Sequence, residues 1–255
     1  MPATPDHPNT ISSLKKPDLI LVHGFRGSPI GLAEIAKSLR AAGYSVHTPA
    51  IPPFAGTPAL PDYTPESYAD FLADYVKSHH LDHPILIGHS MGSIIVAAAL
   101  DRHPQVFNRR AVLLSPIAKR TALPLRIISP LSAILPRRAI DDITTLYLFV
   151  PKDKDLRQKV LAATHDCSND RPPKKSQVFR AAQFSTRYAI SDFPLKQNVL
   201  LIAGEKDRIM SQKSILTLAE NLQADVKFLP NSGHLHNYEQ PIETAELILD
   251  FLQDS

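Results

Sequence analysis

The stretch LIGHSMGS, residues 86–93, closes an apolar run by setting Ser90 between Gly88 and Gly92. It fits the pattern G-x-S-x-G, and its flanks decide how that pattern is read. Upstream, HPILIGHS is a short aliphatic run, the signal of a buried strand. Downstream, MGSIIVAAALDRH carries small and apolar residues over three turns, the signal of a helix. A serine on so sharp a strand-to-helix turn stands exposed at the top of a sheet. Bulky neighbours would clash there, hence the two glycines. The helix that begins after Ser90 points free N–H groups and its positive end at the site, which favours developing negative charge. The other reading is a tight turn around an ordinary buried serine.

Working outward, short apolar runs alternate with segments of helical period. DLILVHG (18–24) reads as a strand, GLAEIAKSLRAAG (31–43) as a helix and YSVHTPAI (44–51) as a second strand. TPESYADFLADYVKSHH (64–80) opens with a Thr64 cap and Pro65 at the first helical position. HPILIGHS and its helix follow, then RRAVLLSPI (109–117) as a fourth strand. From 116 to 196 the alternation stops, and prolines are scattered among short apolar pieces. It resumes with NVLLIAGEKD, SILTLAENLQ, DVKFLPNSG and ETAELILDFL. This pattern predicts an α/β fold: a mostly parallel sheet of about six strands with helices on both faces. The expected organisation is a flexible segment over 1–17, a core over 18–115 and 197–255, and a mostly helical cap over 116–196, inserted after the strand ending near Ser115.

Composition bounds the function. The 255 residues hold 44% hydrophobic and 21% charged residues, enough for one sizeable core. A net charge of +3 is too mild to argue for nucleic acid. Cys167 stands alone, so no intramolecular disulfide forms, and no His or Cys cluster has zinc spacing. The N-terminus lacks the features of a signal peptide, and the nearest candidate span, 121–135, is broken by Pro124, Arg126 and Pro130. A soluble, cytoplasmic protein with no stable membrane insertion is expected. The segment 116–196 carries +8 and the remainder −5. That charge is either a solvated face or a positive rim drawing acidic substrates or an anionic lipid surface.

A serine hydroxyl needs a base to take its proton, and the base needs an acid to orient it. Both belong in loops at the carboxyl ends of later strands. LIAGEKDRI supplies Asp207, with Glu205 two residues earlier; FLPNSGHLHNYEQP supplies His234, with His236 two residues later. Alternation along an extended chain sends each pair the same way, so periodicity leaves both open. The small Ser232-Gly233 pair favours His234 as the sharper loop exit, with His236 at the surface or in support. A tetrahedral intermediate also needs backbone N–H groups aimed at its oxygen. Met91, after the nucleophile, and Phe25, in the loop LVHGFRGSP, are the candidates, with Gly24 allowing close approach. His23 and His89 read as loop and elbow supports rather than reacting groups.

HGFRGSP, GHSMG, GEKD and NSGHLHNYEQP resemble the oxyanion loop, elbow, acid loop and histidine loop of the α/β-hydrolase superfamily. The run at 21–52 is similar to bacterial carboxylesterases and monoacylglycerol lipases. The resemblance implies Ser90 as nucleophile, Asp207 as acid, His234 as base, Phe25 and Met91 as oxyanion donors, and an insertion at the family's cap position. The implied activity is hydrolysis of a small-molecule carboxylic ester, of acyl or acidic character, through an acyl-enzyme, with no cofactor and no metal. The same triad would serve a thioesterase or a carbon–carbon bond hydrolase, and a ligand receptor or scaffold could keep it with little turnover. Two features depart from the family. Only 17 residues precede Asp18, too few for the two antiparallel strands that many members place first, and Ala50 stands where many carry an Asp after the second strand.

Overall fold

Neighbouring residues of the central strands face opposite sides of one sheet, and each side has its own core. The computed structural model describes residues 16–120, 155, 156, 158–160, 162 and 172–253. Strand β1 (Leu19–Val22) is buried throughout, as a parallel strand covered on both faces must be. Its Ile20 and Val22 join one apolar cluster and its Leu19 and Leu21 the other. Strands β3 (Ile85–His89), β4 (Arg110–Leu114) and β5 (Asn198–Gly204) divide their residues the same way. The edge strands are β2 (Val46–His47) and β6 (Asp225–Leu229). All pairings are parallel, in the order β2-β1-β3-β4-β5-β6.

Helices α1 (Ala33–Ala41) and α7 (Pro241–Gln253) cover the Leu19 side through Ile35, Leu39, Ile248 and Phe251. The other side is covered by α2 (Pro65–Ser78), α3 (Met91–Arg102), α4 (Lys175–Arg187) and α5 (Gln212–Leu222). Helix α3 is buried from Met91 to Leu100, which explains why its sequence is apolar all round rather than striped. Thr64 caps α2 by accepting from Ser67 N–H at 3.3 Å, with Pro65 at the first helical position. A short helix α6 (His236–Glu239) precedes α7.

The second strand is shorter than the sequence suggests. Only Val46 and His47 pair, and with β1 alone. As an edge strand it has one neighbour, and Pro49, Pro52 and Pro53 remove the donors that would extend it.

The segment over 116–196 leaves the sheet after β4 and returns before β5. Its two ends meet: Ile190 N–H donates to Ile117 O at 3.0 Å, and Arg120 pairs with Asp192 at 3.0 Å. Helix α4, near its return, packs onto α2 through Phe184 and Tyr68, whose ring centroids are 4.7 Å apart. Leu156 and Val160, four apart, pack with Leu235 and Tyr238. The apolar pieces at 122–135 and 143–150, Cys167 and residues 1–15 lie outside the described residues. Among the described residues, no helix is long and apolar enough to cross a membrane, and every strand pairing is parallel.

Candidate active site

The strand order reverses between β1 and β3: the chain leaves β1 towards β2 on one side and β3 towards β4 on the other. In a parallel sheet this opens a crevice at the carboxyl ends of those two strands. The loop after β1 carries His23, Gly24 and Phe25, and Ser90 stands directly after β3. Ser90 has φ 53° and ψ −119°, a region that a residue with a Cβ adopts only when its surroundings enforce it. Close approach explains the flanking glycines. A Cβ on Gly92 would strike the carbonyls of Val22 and His23, and one on Gly88 would strike the backbone of Gly92. Neither glycine has positive φ; the elbow needs them for space.

Three loops bring three side chains into one line. The Ser90 hydroxyl donates to His234 Nε2 at 2.8 Å, and His234 Nδ1–H donates to Asp207 Oδ2 at 2.8 Å. The His234 and Asp207 side chains are 4% and 1% exposed, so this contact is shielded from water. The second carboxylate oxygen, Oδ1, accepts from Ile209 N–H at 2.7 Å and Met210 N–H at 3.1 Å. Burial alone would raise the Asp207 pKa. The charge of His234, its hydrogen bond and these two backbone donors outweigh burial and hold the carboxyl below its usual range. An ionised carboxylate so placed keeps the proton on Nδ1 of His234 and leaves Nε2 free to accept from Ser90.

The alternatives separate in space. Glu205 is exposed, and its backbone serves the sheet end, with its N–H donating to Leu229 O at 3.0 Å. His236 is not at the surface: it is buried against α7, where Nδ1–H donates to the Thr244 hydroxyl at 3.0 Å. Burial pushes its pKa down to about 3, so it stays neutral.

The two histidines at the ends of β1 and β3 hold loops. His23 Nδ1–H donates to Gly24 O at 2.9 Å, and its Nε2 accepts from Ile51 N–H at 2.9 Å, pinning the loop after β2 that has Ala50. Burial lowers its pKa to about 4. His89 Nε2–H donates to the His234 carbonyl at 3.0 Å; burial, then the neighbouring His234 and His236, push it down to about 3. Phe25 follows Gly24, a Cβ on which would stand 3.0 Å from the Ser90 Cβ. Met91 begins α3, where the first N–H groups have no intrahelical acceptor. Among the described residues no group of three or more His, Cys, Asp or Glu is placed to hold a metal ion.

Two supporting residues escaped the sequence reading. Ser93 donates to Ser90 O at 2.5 Å and accepts from Ile117 N–H at 3.2 Å, bracing the elbow against the start of the insertion. A serine three residues after the elbow is the signal that could have found it, because such a hydroxyl readily bonds back to the carbonyl at i−3. Glu239 accepts from the Ser232 hydroxyl and from Gly233 N–H, both at 2.6 Å, and so ties down the loop that carries His234. Only the turn of α6 brings it back there, and no spacing announces that.

The profile of the alpha/beta hydrolase family matches residues 19–247. Among curated relatives, the chain is 27% identical to the uncharacterized hydrolase YugF of Bacillus subtilis, covering 92% of this chain and 89% of that one. It is 28% identical to the pimeloyl-[acyl-carrier protein] methyl ester esterase of Aromatoleum aromaticum, covering 94% of this chain and all of that one. The solved structure of an esterase from Thermogutta terrifontis superposes with a TM-score of 0.81 at 20% identity, over 94% of this chain and 90% of that one, a likeness of fold.

Proposed function

The chain belongs to the alpha/beta hydrolase family, and from that premise we propose that it hydrolyses carboxylic esters through an acyl-enzyme on Ser90. The observation that carries this reading is the line from Asp207 through His234 to Ser90, with both contacts at 2.8 Å. An ester rather than another acyl compound is favoured by the ester chemistry for which one curated relative is named.

In this reading His234 Nε2 takes the hydroxyl proton as Ser90 Oγ attacks the carbonyl carbon. The carbonyl oxygen becomes an oxyanion, held by the N–H groups of Phe25 and Met91 at the positive end of α3. The carbon–oxygen bond to the alcohol then breaks, and the alcohol leaves with the proton from His234. Water attacks the acyl-serine with His234 again as base, releasing the acid and restoring Ser90. Asp207 keeps the imidazole in the productive tautomer and stabilises its charged form. Each step uses groups of this chain and water. In this reading the segment over 116–196 is a cap, and the packing of its Leu156 and Val160 with Leu235, the residue after the base, supports that reading.

A fluorophosphonate probe followed by peptide mapping should label Ser90, and p-nitrophenyl esters of graded chain length should be turned over. Ser90→Ala should lose roughly 10³-fold or more in kcat with unchanged melting. A Ser90→Ala enzyme keeping a tenth of the rate would remove Ser90 from the mechanism. Labelling without turnover of any ester would point instead to a thioester or carbon–carbon substrate, or to a receptor.

A further inference from the structure

His89 is the last residue of β3, and its side chain touches the loops on both sides of Ser90. On one side its Nε2–H donates to the main-chain carbonyl of His234 at 3.0 Å. On the other, its Nδ1 lies 3.3 Å from where a Cβ on Gly24 would stand, so the ring edge packs on the backbone that leads to Phe25. Its ring centroid is 5.5 Å from that of His234 and 6.1 Å from that of His236, which closes edge-on behind it. His236 is itself fixed, because Thr244, which accepts its Nδ1–H, donates onward to Gln240 O at 2.6 Å. All three imidazoles are buried.

This arrangement answers a mechanical need. Asp207 fixes the rotation of the His234 ring but says nothing about where the His234 main chain sits. Proton transfer needs Nε2 within hydrogen-bond reach of Ser90, while the oxyanion donors must meet the same carbonyl group from the other side. Something has to set the base loop against the oxyanion loop. Ser90 and His89 both stand close to where a Cβ on Gly24 would be, so the strand end that delivers the nucleophile also carries the spacer.

We propose that His89 is a positioning residue, whose Nε2–H anchors the His234 main chain while its ring spaces that loop from the Gly24–Phe25 backbone. This role rests on the reading of Ser90 and His234 given under Proposed function. A neutral ring is required, since a second positive charge beside His234 would oppose the imidazolium that forms during attack. The low pKa of His89 meets that requirement.

Two substitutions in the full chain separate the hydrogen bond from the packing. His89→Gln keeps an amide N–H of similar reach, whereas His89→Phe keeps the ring and loses the donor. With a p-nitrophenyl ester, His89→Phe should lose about 10²-fold in kcat, with KM within about twofold, because a misplaced base costs rate rather than affinity. Fluorophosphonate labelling of Ser90 should slow by a similar factor, and His89→Gln should recover most of both losses. Wild-type kcat in His89→Phe, equal losses in the two variants, or a change in KM alone would overturn the proposal. Nitrogen-15 NMR of the wild-type protein gives a check that no folding defect can blur. At neutral pH His89 should carry its proton on Nε2, and an Nδ1–H tautomer or an imidazolium there would also overturn it. If Ser90→Ala is inert while His89→Phe is fully active, only the role of His89 falls. If Ser90→Ala is active, the nucleophile assignment falls first.

Discussion

Glu205 and Asp207 lie two residues apart, and the structure sends them in different directions. Asp207 N–H donates to Gly204 O at 3.2 Å, so residues 204–207 form a turn and the alternation of an extended chain does not apply. That is why periodicity left both carboxylates open. His234 and His236 part for a related reason: α6 starts at His236 and turns that ring towards Thr244. The consequence is a ranking of variants. Asp207→Asn should lose up to about 10⁴-fold in kcat, because the amide leaves the imidazole in the wrong tautomer. Glu205→Gln, at an exposed carboxylate, should stay within about twofold of wild type. Steady-state kinetics on one p-nitrophenyl ester suffices, and the reverse order would mean that the acid is Glu205.

The decisive element is the strand–turn–helix around Ser90. Its existence was legible because an aliphatic strand, a G-x-S-x-G turn and an apolar helix meet without a gap. The source of its constraint was not. Gly92 is excluded from having a side chain by carbonyls of β1 and the loop after it, which are far away in sequence. Those atoms are backbone, the nearer of them in a paired strand, and cannot yield as a flexible side chain would. Gly92→Ala should therefore cost about 3 kcal/mol, read from urea denaturation, at the upper end of what overpacking costs because the obstructing atoms are backbone. A loss below about 1 kcal/mol would mean that the elbow can shift. The shortening of β2 is likewise tertiary, since a strand with one partner and prolines after it has nothing to extend its ladder.

At the scale of the molecule, His23, His89 and His236 are buried around the crevice at Ser90 and are held neutral, their pKa values lowered to about 4, 3 and 3. Their folded pKa values lie below the unfolded one, so the unfolded chain binds more protons on acidification. The stability that they contribute is present above about pH 6.5 and is lost as pH falls towards 3–4. At pH 5 each should cost about 2 kcal/mol. Together they would consume about 6 kcal/mol, comparable with the lower end of a domain's total stability. Melting temperature should be flat above pH 7 and fall steeply below pH 6, and a His236→Asn chain that folds should show a shallower fall. A profile level down to pH 4.5 would show that these rings do not remain neutral.

The sequence by itself determined the alternation of strands and helices, its interruption between β4 and β5, and the four loops that carry Ser90, Asp207, His234 and Phe25. Those features are local: aliphatic runs, helical period, caps and glycine turns act within a few residues of themselves. Tertiary structure alone decided which carboxylate faces His234 and that His89 reaches the base loop, while the turn of α6 sent His236 inward and brought Glu239 back onto that loop. The first two depend on contacts between separate segments, 27 residues apart from Asp207 to His234 and 145 from His89 to His234. The strand order that reverses between β1 and β3 brings those segments to one crevice, and no local pattern encodes a distance across it.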